Sequence, residues 1–280
     1  MAEDNPARPR LKAPPGATDT HMHVFDARFP LAPTATVTPP EAPVADYLKL
    51  CGRLGIERSV VVQPSGYGTD NSCTLEAIAA MGSRARGIAV ADEGVSEAEL
   101  QRLDAAGIRG LRFHMLPGGV IGWESLRPLA RRIAPLGWHV QVQLDGRLLP
   151  EREALLKDLP CTLVIDHTGK FLEPVPPEHP AFKILLGLVD GGRTYVKLSA
   201  PYETSKVGQP LFEDVGTLAK ALVKAAPERM LWATNWPHLG QTPERHGDEA
   251  GLLDLLLDWA PDADVRKKIL TDNPAALYGF

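Results

Sequence analysis

His21 and His23 lie two residues apart in the run Ala17-Thr18-Asp19-Thr20-His21-Met22-His23-Val24. Successive side chains of a strand point to opposite faces, so in an extended run both imidazoles face one side. Imidazole accepts, donates or ligates near neutral pH, which makes such a pair a candidate site. A half-buried strand also carries ordinary polar residues, so the pair alone decides little. Two further segments add weight: Asp166-His167, and Thr234-Asn235-Trp236-Pro237-His238 near the C-terminus. Each follows a short apolar run, the position where a closed parallel barrel collects catalytic side chains.

The elements needed to hold these residues recur along the chain. Short β-branched or apolar runs alternate with segments of helical period, the pattern of repeated βα units. After Ala17–Val24 the strand candidates are Ser59–Gln63, Arg86–Val90, Gly110–Phe113, Trp138–Gln143, Thr162–Asp166, Thr194–Leu198 and Met230–Thr234. Eight strands close a (β/α)₈ TIM barrel. Helical candidates between them are Val44–Leu54, Asn71–Met81, Ser96–Ala105, Glu124–Ala134, Phe182–Val189 and Leu211–Ala225. Ser96 followed by Glu99 reads as a capping box. The βα loops of a barrel open on one face, so the strand ends meet there. They bring His21 and His23, Gln63 and Ser65, Arg112 and His114, Gln143 and Asp145, His167, Tyr202 and Glu203, and Asn235 with His238. A plain scaffold gains nothing from so many groups whose burial must be offset by hydrogen bonds. The Pro-rich stretch from Pro30 to Pro43 forms a long loop after the first strand, placed to cover the barrel mouth. His139, His179 and His246 read as ordinary residues.

A chain of 280 residues suits a single barrel, here residues 17–280, preceded by a charged, Pro-rich tail over 1–16 expected to be flexible. The net charge of −5 gives no basic field for nucleic acid or an anionic membrane. No run approaches membrane-spanning length and no secretory h-region opens the chain. Cys51, Cys73 and Cys161 are an odd, scattered set, with neither a disulfide framework nor a thiolate zinc site, which fits a reducing cytoplasm.

The ordered set Asp19-Thr20-His21-Met22-His23, Asp166-His167-Thr168-Gly169-Lys170, Tyr195-Val196-Lys197-Leu198-Ser199 and Asn235-Trp236-Pro237-His238 resembles the amidohydrolase superfamily, amidohydrolase family 2. Within it the chain is similar to the branch of 2-pyrone-4,6-dicarboxylate lactonase and galactarolactone isomerase, from Ala17 to the closing Asp272–Phe280. The resemblance implies a (β/α)₈ barrel acting on a small carboxylated lactone, its carbonyl polarised by His21, His23 and His167. It also implies catalysis without a metal. Hydrolytic members carry T-D-W-P-H on the eighth strand, where the aspartate activates water; here the position is Asn235. An amide orients a water or hydroxyl but takes no proton at neutral pH. The isomerase shares the asparagine and a segment similar to Tyr202-Glu203-Thr204-Ser205, although its first histidine differs from this chain's.

Losing that carboxylate also removes the anionic donor of a mononuclear zinc site, leaving His21, His23 and His167 as the ligands if zinc binds. Arg112 offers a planar fork for a substrate carboxylate, or a salt bridge to a neighbouring acid. Ser65-Gly66-Tyr67-Gly68-Thr69 is an anion cradle or a tight turn. Gln143, Asp145, Tyr202, Glu203 and His238 complete the expected substrate contacts. The function expected is hydrolysis or intramolecular isomerisation of a carboxylated sugar-acid or dicarboxylic lactone. A metal-dependent hydrolase or decarboxylase, and a sugar-acid binding protein without turnover, are the competing readings.

Overall fold

Eight parallel strands follow one another in sequence order around one sheet in the computed structural model, which describes residues 7–280. They are β1 (Thr18–Met22), β2 (Arg58–Val62), β3 (Ala85–Ala89), β4 (Ile108–His114), β5 (His139–Gln143), β6 (Leu163–Ile165), β7 (Thr194–Leu198) and β8 (Met230–Trp232). The helices between them are α1 (Val44–Leu54), α2 (Ser72–Met81), α3 (Glu97–Ala105), α4 (Leu126–Ile133), α5 (Leu149–Lys157), α6 (Pro180–Asp190) and α7 (Glu213–Ala225). The architecture is the expected single (β/α)₈ TIM barrel.

β2 shows how the sequence builds it. Val60 and Val62 turn inward with Ile88, Val164, Tyr195, Leu231 and Tyr278, whereas Val61 packs in the layer shared with the helices. A strand buried on both faces needs no polar alternation, hence the unbroken Val60-Val61-Val62. The seam between β8 and β1 closes just beyond the strands: Asn235 N–H donates to His21 C=O and His23 N–H to Trp236 C=O, both at 2.9 Å. Asp19 fastens the same seam, accepting from Thr234 N–H at 3.0 Å, Thr234 Oγ1 at 2.5 Å and Tyr47 Oη at 2.8 Å. That seam joins the first histidine strand to the Asn235 segment.

Two expectations change. Leu149–Lys157 is a helix that the sequence reading passed over, because Pro150 obscures its start and only Leu149 and Leu156 are buried; proline in a first helical turn costs no hydrogen bond. Of the expected tail, residues 1–6 lie outside the described residues, and 7–16 lie along the barrel. Leu11 is buried, its N–H and the Arg10 side chain bond Asp254, Arg53 donates to Ala7 C=O, and Gly16 N–H bonds Glu57. An apolar anchor flanked by carboxylate acceptors docks this segment. Ser96 caps α3 through Glu99 N–H at 3.1 Å, while the Glu99 carboxylate turns to Arg102. No helix among the described residues is long and apolar enough to cross a membrane.

Candidate active site

The C-terminal ends of the strands surround a cavity of about 210 Å³. Its polar wall comprises His23, Ser65, Arg112, His114, Gln143, His167, Lys170, Glu203 and Asn235. Thr36, Val37 and Pro39 of the long loop close one side. The loop is held there by the Phe25–Ala42 bridge and by Ala32 N–H donating to Gly66 C=O at 2.8 Å.

The backbone that presents these groups is strained. His167, Thr168, Gly169 and Lys170 follow one another at φ 54°, 55°, 85° and 42°, and Asn235 has φ 61°. Left-handed non-glycine residues cost free energy and gather where geometry serves chemistry. Here the turn after β6 brings both His167 and Lys170 to the cavity wall.

Hydrogen bonding assigns the protons of the first-strand pair. Val62 C=O lies 2.7 Å from His23 Nδ1. A carbonyl only accepts, so Nδ1 carries the proton and Nε2 of the neutral ring is bare. Burial, followed by Arg112, pushes His23 down to about 3, which keeps it neutral at pH 7. His21 Nδ1 faces the Lys197 ammonium at 3.3 Å and the Gln141 amide nitrogen at 3.4 Å. Gln141 is oriented by Lys197 donating to its Oε1 at 2.6 Å. Two donors on His21 Nδ1 place its proton on Nε2, 3.3 Å from the bare His23 Nε2. Burial and then Lys197 hold His21 well below the ordinary histidine range. His167, likewise depressed by burial, is held through Nδ1 by Ser199 Oγ at 2.9 Å.

Lys197 and Asp166 are wholly buried beneath this layer. The Asp166 Oδ1 atom lies 3.5 Å from Lys197 Nζ and 3.4 Å from His21 Nδ1, and Oδ2 accepts from Gln141 at 3.0 Å. Burial alone raises a carboxyl pKa; around Asp166 the neighbouring cations, Lys197 foremost, outweigh it and the group lies low. Burial in turn brings Lys197 down to about 8.

His21, Asp166 and His167 place donor atoms within 4.8 Å of one another, which raises the question of a metal among the described residues. Asp166 thus takes the place in that group expected for His23. The residues do not fit a divalent ion. The Lys197 ammonium already sits against two of the three donors, and the Nε2–H of His21 removes that nitrogen's lone pair.

Arg112 is 6% exposed and takes no carboxylate partner among the described residues. It donates to Gln63 C=O at 3.0 Å and to Gln143 Oε1 at 2.9 Å, and its Nε is buried without an acceptor. The alternative of a salt bridge is not realised. Lys170, the other cation of the wall, pairs with Glu203. The wall therefore carries one uncompensated positive charge, on Arg112.

Asn235 uses its Nδ2 twice, donating to Tyr202 Oη at 3.0 Å and to Glu203 Oε1 at 3.3 Å. Its own amide oxygen is left for the cavity. Tyr202 passes the chain on to His238 Nδ1 at 2.8 Å, with Glu249 3.4 Å from His238 Nε2. Tyr202 and His238, expected as substrate contacts, thus stand behind Asn235 and off the cavity wall. Asp145 is also off the wall: Arg147 binds it at 2.6 Å, and it caps the turn after β5 through Arg147 N–H. A short Asp-x-Arg spacing satisfies that carboxylate locally before it can reach the mouth. His21 is one layer down, whereas His23, His167, Asn235, Arg112, Gln143, Glu203 and Ser65 meet at the cavity.

Lys197, known from sequence only as part of the Tyr195–Ser199 motif, and Gln141, absent from the expected site, are the residues that orient His21. A lysine inside the apolar run Tyr195-Val196-Lys197-Leu198 was the available signal, since such a charge is fully buried only when paired. Gln141 shares a strand face with Gln143 by period two.

These buried rings make stability pH-dependent. His23 and His139 are each brought to about 3, by burial first, from an ordinary 6.5. Above pH 6.5 both are neutral folded or unfolded. As pH falls from 6.5 towards 3 the unfolded chain takes up protons that the fold refuses, and stability is lost. The expected loss between pH 7 and pH 5 is about 2 kcal/mol per ring. Urea unfolding at the two pH values measures it, and His139→Asn should remove about one ring's share. Equal stability at both pH values would mean that these rings titrate in the fold as they do in the unfolded chain.

Comparison with known proteins agrees with this geometry. Residues 18–280 match the amidohydrolase family. The chain is similar to the 2-pyrone-4,6-dicarboxylate hydrolase of Comamonas testosteroni, 36% identical over 98% of this chain and 93% of that protein. It is also similar to the D-galactarolactone isomerase of Agrobacterium fabrum, 35% identical over 98% and 93% of the two chains. A crystal structure of an Agrobacterium tumefaciens protein, without ligand, superposes with a TM-score of 0.91 at 35% identity, covering 97% of this chain and 98% of that one. Matched along nearly its whole length in both sequence and barrel, the chain belongs to the amidohydrolase family.

Proposed function

We propose that this protein is a lactone-processing enzyme that hydrolyses or internally rearranges the lactone of a small carboxylated acid, without a metal, in the cytoplasm. The observation that carries the reading is Arg112, a buried guanidinium with no anionic partner, on the wall of a cavity of about 210 Å³ that also presents His23 and His167. A buried cation without a counter-ion is costly, and a substrate carboxylate would relieve that cost. His167 offers a ring nitrogen to the lactone carbonyl, with the His21–His23 pair beneath and beside it. An N–H on His167 strengthens as charge develops on the oxygen, which suffices for an activated ester; the His21 N–H is held by the bare Nε2 of His23. Gln143 bonds Arg112, and Ser65, Glu203 and Asn235 line the same cavity. The names of the relatives support the substrate class: one is a hydrolase of a pyrone dicarboxylate and the other an isomerase of a sugar-acid lactone. Asn235 favours the isomerase side, since an amide takes no proton from water. Three free, buried cysteines agree with a reducing compartment.

A panel of aldarolactones, aldonolactones and pyrone carboxylates, followed by proton release for ring opening and by NMR for rearrangement, tests the reading. No turnover of any carboxylated lactone would overturn it. Arg112→Lys keeps the charge but loses the fork, and each lost charge-assisted hydrogen bond is worth about 1.5–3 kcal/mol. The variant should therefore raise KM for carboxylated lactones by about tenfold or more, with little change for neutral ones. Equal losses for both would make Arg112 a structural residue.

A further inference from the structure

We infer that Glu203 is the catalytic proton acceptor of this enzyme, filling the role that Asn235 cannot, and that Asn235 and Lys170 hold its carboxylate for the task. The inference rests on the lactone reading and goes further by naming the base. The carboxylates near the site narrow to one. Asp145 is turned away and bound by Arg147. Asp166 lies below the wall, 0% exposed, bound by Gln141 and facing Lys197. Asp19 is wholly buried in the β8–β1 seam, bonded by Thr234 and Tyr47. Among the described residues, Glu203 alone brings a carboxylate to the cavity wall.

Its two oxygens are held separately, Oε1 by the Asn235 amide at 3.3 Å and Oε2 by the Lys170 ammonium. Each carboxylate oxygen has two acceptor sites, so both retain a lone pair for an O–H in the cavity. The amide nitrogen of Asn235 therefore has a positive use: it points the neighbouring carboxylate at the position a substrate hydroxyl would take. As the attacking oxygen bonds to the lactone carbonyl carbon, its proton passes to Glu203. When the ring C–O bond breaks, the leaving oxygen takes that proton back, and the carboxylate is regenerated. With a substrate hydroxyl as the attacking group the product is a rearranged lactone; with water it is the ring-opened acid.

The test is Glu203→Gln, alone and combined with Asn235→Asp. Loss of a positioned base typically costs about 10²–10⁴-fold, so the single variant should lose at least a hundredfold in kcat with KM nearly unchanged. The double variant moves the carboxylate to residue 235 and should regain ring opening, but not rearrangement. A merely structural Glu203 would not be rescued by a carboxylate on another element. Retention of more than about a tenth of wild-type kcat by a folded Glu203→Gln would overturn the assignment. So would an inactive double variant that still binds substrate. If the glutamine variant does not fold, Glu203→Ala with added formate carries the same test: a rate rising with formate supports the assignment, and a rate independent of formate overturns it. Failure of the parent lactone reading is separate, since it would appear as an inactive wild type.

Discussion

Lys197→Met is expected to cost about 3–5 kcal/mol of stability, the usual penalty for removing one partner of a buried ion pair. Methionine nearly matches the lysine stem in volume, so the cost is electrostatic. The Lys197 ammonium donates to Thr20 C=O at 2.8 Å and Gln141 Oε1 at 2.6 Å, and lies 3.5 Å from Asp166 Oδ1. Without it Asp166 is a buried carboxylate with one donor, and His21 loses the group that orients its tautomer. Adding Asp166→Asn removes the orphaned charge, so the double variant should recover part of the loss. Urea unfolding of both single variants and the double completes the cycle, with an expected coupling above 1 kcal/mol in magnitude, inside the usual range of about 0.5–3 kcal/mol for contacting residues. Additive losses would show that the two residues do not act as a pair. Activity should fall with Lys197→Met even where the protein stays folded, because His21 then swings between two proton arrangements.

Asn235→Asp should raise ring opening relative to rearrangement, because it places beyond β8 a carboxylate able to take a proton from water where an amide cannot. The new oxygen replaces the amide nitrogen that now lies 3.3 Å from Glu203 Oε1 and 3.0 Å from Tyr202 Oη. Two carboxylates that close cannot both ionise freely, and one pKa of the pair rises. The gain in ring opening should therefore grow as pH rises through that raised value. The product ratio is the proper readout, since total rate also reflects misplacement of the substrate. The assay is run with and without chelator, because a carboxylate among imidazoles improves the donor set for zinc. An unchanged ratio of ring-opened acid to rearranged lactone, in a folded variant, would remove Asn235 from the choice of reaction.

Much of this site was legible in the residue order because a barrel converts sequence into geometry by rule. A residue at the end of a parallel strand faces the mouth, whatever the helices do. His23, Arg112, Gln143, His167, Glu203 and Asn235 could be collected on that ground alone, and all line the cavity. Distance past the strand does not decide the outcome, since Glu203 lies five residues beyond β7 and reaches the wall while Asp145 lies two beyond β5 and does not. Asp145, Tyr202 and His238 also lie near strand ends, yet their side chains are captured by Arg147, by Asn235 and by each other. Capture depends on rotamers and on partners far apart in sequence, and period-two reasoning carries neither.

The sequence by itself determined the eight-fold βα alternation, the pairing of His21 with His23 on one strand face, and an amide at residue 235, which takes no proton. These are local properties of side-chain chemistry and period. Only the tertiary structure decided which nitrogen of each imidazole carries a proton, because the deciding partners come from other strands: Val62 from β2, Gln141 from β5 and Lys197 from β7. It also set the Lys197 ammonium against two of the three clustered donors, His21 and Asp166, and brought Glu203 to the wall beside Asn235. Each outcome turns on distances of about 3 Å between groups brought together by barrel closure, and at that range a change of partner reverses what a side chain can do.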